Sequence, residues 1–103
     1  MKPLYDVLME IKVRPELYLG KPSLERLYAF INGYLYCATL NNYGYDNCLD
    51  GFNKYIADVY HIKTSHNWSR IIEFYSTSDD EAFKKFYKHL NNYIKKRKKD
   101  ILE

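Results

Sequence analysis

Residues 78–99, SDDEAFKKFYKHLNNYIKKRKK, contain the strongest helix signal in the chain. Ser78 and Glu81 have the spacing of a capping box, in which the two side chains satisfy backbone N–H groups at a helix start. Apolar residues then recur at helical spacing: Ala82, Phe83, Phe86, Tyr87, Leu90, Tyr93 and Ile94. Acids at the start and five basic residues from Lys95 to Lys99 follow the charge order that the helix dipole favours. The sequence therefore predicts one long helix with a solvated basic end.

Two helices are predicted in the first forty residues. The first follows Pro3 and should end before Pro15, because the residue that precedes a proline is pushed out of the α region. Ser23 is the predicted N-cap of the second, which should be about 17 residues long. Its apolar stripe is Leu24, Leu27, Tyr28, Ile31, Leu35 and Ala38. Gly33 lies inside this helix at a cost of about 1 kcal/mol relative to alanine, and we expect a neighbouring helix to approach closely there.

Shorter helices are expected between these two long ones and the basic end. Residues 52–59 show helical spacing after Asp50 and Gly51, and Ser65 is the predicted N-cap of a segment that carries Trp68, Ile71, Ile72 and Tyr75. Residues 14–23 form a connector with two prolines and a glycine. Strand signals are poor, since only residues 70–75 show a short strand-like pattern. We expect an all-α fold, with residues 1–103 as a single-domain bundle of four to five helices.

The composition is that of a globular protein with an unusual number of tyrosines. Hydrophobic residues make up 47% of the chain, and twelve tyrosines bring the aromatic share to 17%. No stretch is long and apolar enough to span a membrane, and the first residues lack the order of a signal peptide. Two cysteines do not form a disulfide framework. We therefore expect a cytoplasmic protein with reduced thiols and no membrane partner.

The charge is unevenly distributed. Residues 1–83 hold 8 basic and 11 acidic side chains, a net charge of −3, whereas residues 84–103 hold 8 and 2, a net charge of +6. The basic end of the last helix is interpreted mainly as a solubilising segment. A nucleic-acid contact would favour more arginines and stacking aromatics beside the lysines, so we do not expect nucleic acid as the partner. A small nucleic-acid-binding or regulatory protein that uses this helix remains the alternative.

No pattern of catalytic, cofactor-binding or metal-binding residues is recognised. Cys37, Cys48, His61 and His66 match no zinc-ligand spacing, and nothing indicates an activated cysteine beside a histidine. The four glycines are isolated, so the chain has no phosphate-binding loop. We predict a protein that is not an enzyme and that uses no cofactor or metal.

A surface rich in tyrosine and aspartate is the predicted partner-binding site. Lys54 is the one basic residue between Tyr34 and Asp58. Tyrosines provide rigid contact area, and carboxylates steer and pair with basic partners. The predicted binding residues are Tyr36, Tyr43, Tyr45, Asp46, Asp50 and Asp58. The alternative, that tyrosines such as Tyr34 and Tyr55 complete the core and the acids are caps or solvent contacts, stays open.

Two segments suggest a family. Residues 14–34, RPELYLGKPSLERLYAFINGY, and residues 67–72, NWSRII, resemble small bacterial proteins encoded with polymorphic and contact-dependent growth-inhibition toxins. The resemblance implies an immunity protein that binds its cognate toxin domain, often a nuclease, and blocks its active site or its access to substrate. Because immunity interfaces must differ to discriminate between toxins, we expect the shared segment to be a fold signature rather than the interface.

Overall fold

The computed structural model describes residues 2–41, 47–63 and 66–102, without the side chain of Leu102. Six helices lie in these ranges, and no strand does. They are α1 (Leu4–Val13), α2 (Pro15–Leu19), α3 (Leu24–Leu40), α4 (Phe52–Val59), α5 (Trp68–Phe74) and α6 (Asp79–Leu102). The all-α prediction is confirmed. Residues 70–75, the one segment with a short strand-like pattern, lie mostly in α5.

The additional helix, α2, lies where the sequence predicted only a connector. Pro15 occupies its first position, where the N–H that proline lacks would have no partner within the helix. The helix ends at Gly20, whose φ of +84° is readily adopted by glycine. The Arg26 guanidinium donates a 2.7 Å hydrogen bond to the Leu19 carbonyl at this end. The connector is thus one helical turn tied to α3, and α1 ends at Val13, before Pro15, as predicted.

A single buried cluster draws side chains from all six helices. Its centre is aromatic, where Trp68 of α5 stacks on Phe86 of α6 with ring centroids 4.9 Å apart. Phe52 of α4 meets both rings edge-on, at 5.4 and 5.8 Å. Leu27 and Ile31 bring the inner face of α3 into the same cluster. The last helix therefore serves as the platform on which α3, α4 and α5 pack.

The start of α3 is capped by its own preceding residue and by another helix. Ser23 Oγ accepts a 3.1 Å hydrogen bond from the Arg26 N–H, which confirms the predicted N-cap. Asp79, the first residue of α6, accepts hydrogen bonds from the N–H groups of Leu24 and Glu25 at 2.9 and 3.3 Å. Three N–H groups of α3 that a helix start leaves without a partner therefore have acceptors. One is bound by Ser23, and the other two are bound by Asp79 of α6.

The start of α5 has the same arrangement, and here the predicted cap was wrong. Asn67, directly before Trp68, accepts a 3.0 Å hydrogen bond from the Arg70 N–H, while Asn53 of α4 accepts one of 2.9 Å from the Trp68 N–H. The helix begins later than the sequence indicated, and asparagine caps as well as serine. Ser65 lies outside the described residues.

The capping box of α6 forms in a shifted version. Ser78 Oγ accepts a 3.0 Å hydrogen bond from the Glu81 N–H, as predicted. The Glu81 carboxylate accepts instead from Thr77, at 2.5 Å from its hydroxyl and 3.4 Å from its N–H. Lys85 adds a 3.0 Å ion pair to the same carboxylate. These contacts join the start of α6 to the turn that precedes it.

Gly33 does not have the role that was predicted for it. A methyl group built at this position would meet no atom of another described element within 4 Å, so none of the described helices approaches closely there. The residue lies on the exposed side of α3. The close-approach explanation was wrong because periodicity locates the apolar stripe of a helix but does not show whether anything covers its opposite side.

Candidate partner-binding surface

Tyr34 and Tyr55 complete the core. Tyr34 is half-buried, and its hydroxyl donates to the Lys2 carbonyl next to the start of α1. Tyr55 packs on Tyr93 with ring centroids 4.9 Å apart, and the Lys96 ammonium lies 5.7 Å from its ring centroid. The contacts of these two tyrosines therefore match the alternative that assigned them to the core.

Half of the predicted binding residues lie within the described chain. Tyr36 is 67% exposed on α3, Asp50 is exposed just before α4, and Asp58 is exposed in the last turn of α4. Within the described residues, no hydrogen bond or ion pair joins Tyr36 to either aspartate. The other three predicted residues, Tyr43, Tyr45 and Asp46, lie outside the described residues.

The two aspartates differ in their surroundings. Asp58 forms a 3.3 Å ion pair with Lys54, four residues earlier on the same helix, and both side chains are well exposed. Exposed pairs of this kind contribute about 0.2–1 kcal/mol, so a partner's cation can replace the lysine at little cost. Asp50 is held through its backbone, because its carbonyl accepts from the Tyr93 hydroxyl. Its carboxylate remains on the surface.

Tyr36 belongs to a larger surface, which we call the α3 outer face. It consists of exposed residues on the side of α3 opposite its buried stripe: Ala29, Asn32, Gly33, Tyr36, Cys37 and Leu40. No charged residue occurs between Arg26 and Asp46 in the sequence. The solvent side of a surface helix usually carries charged residues. An exposed helix face without charge is the composition expected of a surface that another protein covers.

The shape of the α3 outer face also suits contact with another chain. Ala29, Gly33, Tyr36 and Leu40 follow one line along the helix, at the spacing of a single face. Ala29 and Gly33, which we call the notch, carry little or no side chain, so a partner's backbone or side chain can approach α3 closely there. Beside it, Tyr36 and Leu40 are 67% and 64% exposed. The uncharged run between Arg26 and Asp46 is the sequence signal for this face, of which the predicted site contains only Tyr36.

Among the described residues, no group of three or more histidine, cysteine, aspartate or glutamate side chains could hold a metal ion. His89 is half-buried, and one of its ring nitrogens lies 2.8 Å from the Tyr60 hydroxyl. Burial, assisted by Lys88 and Lys85, lowers the pKa of this imidazole below its usual value. This pair links α6 to the residue after α4 and is explained by packing.

Comparisons with known proteins returned no relative. No protein-family model matches the chain, and no curated protein or solved structure matches it significantly. The resemblance of residues 14–34 and 67–72 to immunity proteins therefore stays a prediction based on those residues. In the described part of the chain, no helix is both long and apolar enough to cross a membrane.

Proposed function

We propose that this chain is an immunity protein, which binds a bacterial toxin domain and neutralises it by covering its active site or its substrate path. The observation that carries the proposal is the α3 outer face, an exposed and uncharged surface that includes Tyr36 and Leu40. That face supports protein binding in general. The choice of a toxin as partner rests on the resemblance of residues 14–34 and 67–72.

The acidic side chains of residues 1–83 support a nuclease as the toxin. A nuclease holds its substrate with positively charged side chains, which an inhibitor can meet with carboxylates. Asp50 and Asp58 offer two exposed carboxylates in the region of α4, and residues 1–83 carry a net charge of −3. In the proposed complex the α3 outer face supplies the apolar contact, and the aspartates pair with the basic residues of the nuclease.

The segment that resembles immunity proteins has structural tasks of its own. Pro15 starts α2, Gly20 ends it, and Ser23 caps α3. The Arg26 guanidinium ties α2 to α3 through the Leu19 carbonyl. These tasks support the expectation that the segment preserves the fold, while the residues of the α3 outer face beyond it, Tyr36, Cys37 and Leu40, determine which toxin is bound.

Co-expression with the C-terminal domain of an exported toxin encoded beside this gene tests the proposal. We expect the two chains to co-elute in size-exclusion chromatography as one complex, and cells that produce the toxin domain to survive only when this chain is present. A catalytically dead toxin domain serves as the control for binding without selection for survival. Separate elution together with no rescue of growth would overturn the proposal.

A further inference from the structure

A groove with an apolar floor and a rim of lysines lies where α1, α2 and α6 meet. Its volume is about 490 Å³. Phe83 and Tyr87 of α6 form the floor with Pro15 at the start of α2. Lys12, Lys84 and Lys88 stand around it together with one carboxylate, Asp80, which pairs with Lys84. The groove involves none of the residues of the α3 outer face.

The floor is rigid. Phe83 and Tyr87 are each 5% exposed, and their rings meet edge-on with centroids 5.1 Å apart. The Tyr87 hydroxyl is buried and donates a 2.7 Å hydrogen bond to the Leu8 carbonyl. The polar end of Tyr87 is therefore satisfied within the core, and its ring contributes apolar surface to the groove.

The rim continues as a row of lysines along α6. Lys84, Lys88, Lys95 and Lys99 recur on the side of the helix opposite its buried stripe, and all four are exposed. At 1.5 Å per residue the row is about 22 Å long. Lys84 has an exposed partner, Asp80, at 3.2 Å. Within the described part of the chain, the other three lysines form no ion pair.

We propose that this groove and lysine row bind an acidic segment of another protein, with one apolar side chain in the groove and carboxylates along the lysines. The apolar floor favours a polypeptide over a nucleic acid. Bases stack on exposed aromatic faces, whereas both rings here are nearly buried and the Lys12 ammonium lies 5.8 Å from the Tyr87 ring centroid. The surface is separate from the one proposed for the toxin and has the opposite charge preference.

Fluorescence anisotropy with the full chain tests this second surface. The probes are a labelled glutamate–serine peptide with one central phenylalanine, the same peptide with serine instead of phenylalanine, and a labelled DNA duplex. We expect the phenylalanine peptide to bind about tenfold more tightly than the serine peptide, because its ring is buried in the groove. We also expect the double variant K84Q/K88Q to weaken binding of the phenylalanine peptide about fivefold.

Two control variants make the result specific. K54Q/K63Q removes the same charge at exposed sites in α4 and after it, neither of which lines the groove, and we expect it to retain peptide binding. Tyr36→Ala should also retain it, which distinguishes failure of this proposal from failure of the toxin-binding one. Equal binding of the two peptides, an equal loss in K54Q/K63Q, or tighter binding of the duplex than of the phenylalanine peptide would overturn the proposal. The comparison between the peptides uses the unmodified chain, so it does not depend on how a variant folds.

Discussion

Gly51 has a backbone conformation that favours glycine. Its φ is +79°, and a methyl group there would lie 2.7 Å from the Tyr93 hydroxyl oxygen, which itself donates to the Asp50 carbonyl. We expect Gly51→Ala to lower the free energy of unfolding by more than about 1 kcal/mol, from left-handed strain together with the clash. Urea denaturation measures this. A loss below half that value would mean that the turn adjusts freely.

Gly33 should respond in the opposite way. It lies inside α3 with open space where its side chain would be, so Gly33→Ala should raise the free energy of unfolding by about 0.5–1 kcal/mol. The same methyl group would fill the notch of the α3 outer face and weaken the proposed toxin complex. Urea denaturation and titration calorimetry on one preparation separate the two effects. A more stable variant with unchanged affinity would exclude the notch from the interface.

Glu81 makes stability depend on pH in acid. Hydrogen bonds from Thr77 and then from Lys85 lower the pKa of its carboxyl from 4.5 to about 2. Since the unfolded chain takes up this proton at higher pH than the folded chain does, the stabilisation is complete above about pH 4.5 and is lost between pH 4.5 and 2. Urea midpoints measured across this window should fall less steeply for Glu81→Gln than for the unmodified chain.

An exposed glutamate elsewhere controls for the loss of a charge. Glu16 lies in the first turn of α2, and Glu16→Gln should keep the acid dependence that Glu81→Gln reduces. If the urea midpoint falls equally with pH in Glu81→Gln and in the unmodified chain, the contacts of Glu81 with Thr77 and Lys85 do not persist in solution.

At the level of elements, the hydrogen bonds that Asp79 of α6 accepts from the start of α3 are contacts that local sequence does not reveal. Asp79 and Asp80 are adjacent in the first turn of α6 and experience the same helix dipole, but only Asp79 accepts from α3. We expect Asp79→Ala to cost about 1–2 kcal/mol. Asp80→Ala should cost less than about 1 kcal/mol, because it loses only a surface pair with Lys84. Urea denaturation of both variants compares them, and equal losses would rule out the interhelical cap.

The elements that the sequence predicted correctly have their causes close by in the chain. Pro15 ends α1, Ser23 caps α3, and Ser78 caps α6 through contacts within three residues. The caps supplied by Asp79 and Asn53 could not be predicted in this way, because the first lies 55 residues from the N–H that it accepts. The helix α2 was missed because its five residues are too few to show a period.

For the whole molecule, the arrangement separates surfaces of different chemistry. The α3 outer face is uncharged, whereas the outer side of α6 carries the lysine row. Tyr36 was predicted as a binding residue because its region is rich in tyrosine and aspartate, and it is exposed on that uncharged face. Its neighbours Ala29, Gly33 and Leu40 were not predicted, because the predicted site was drawn from tyrosines and aspartates. They lie outside the predicted apolar stripe of this helix, and the structure shows that they are exposed.

Titration calorimetry of the toxin domain with two matched double variants tests the account most directly. Tyr36→Ala with Leu40→Ala truncates the α3 outer face, where the side chains are 67% and 64% exposed. Val13→Ala with Leu17→Ala truncates side chains that are 76% and 70% exposed around the junction of α1 and α2. We predict that the first pair weakens the complex about a hundredfold and the second less than about threefold. The reverse order would contradict the proposed interface and place it at the junction of α1 and α2.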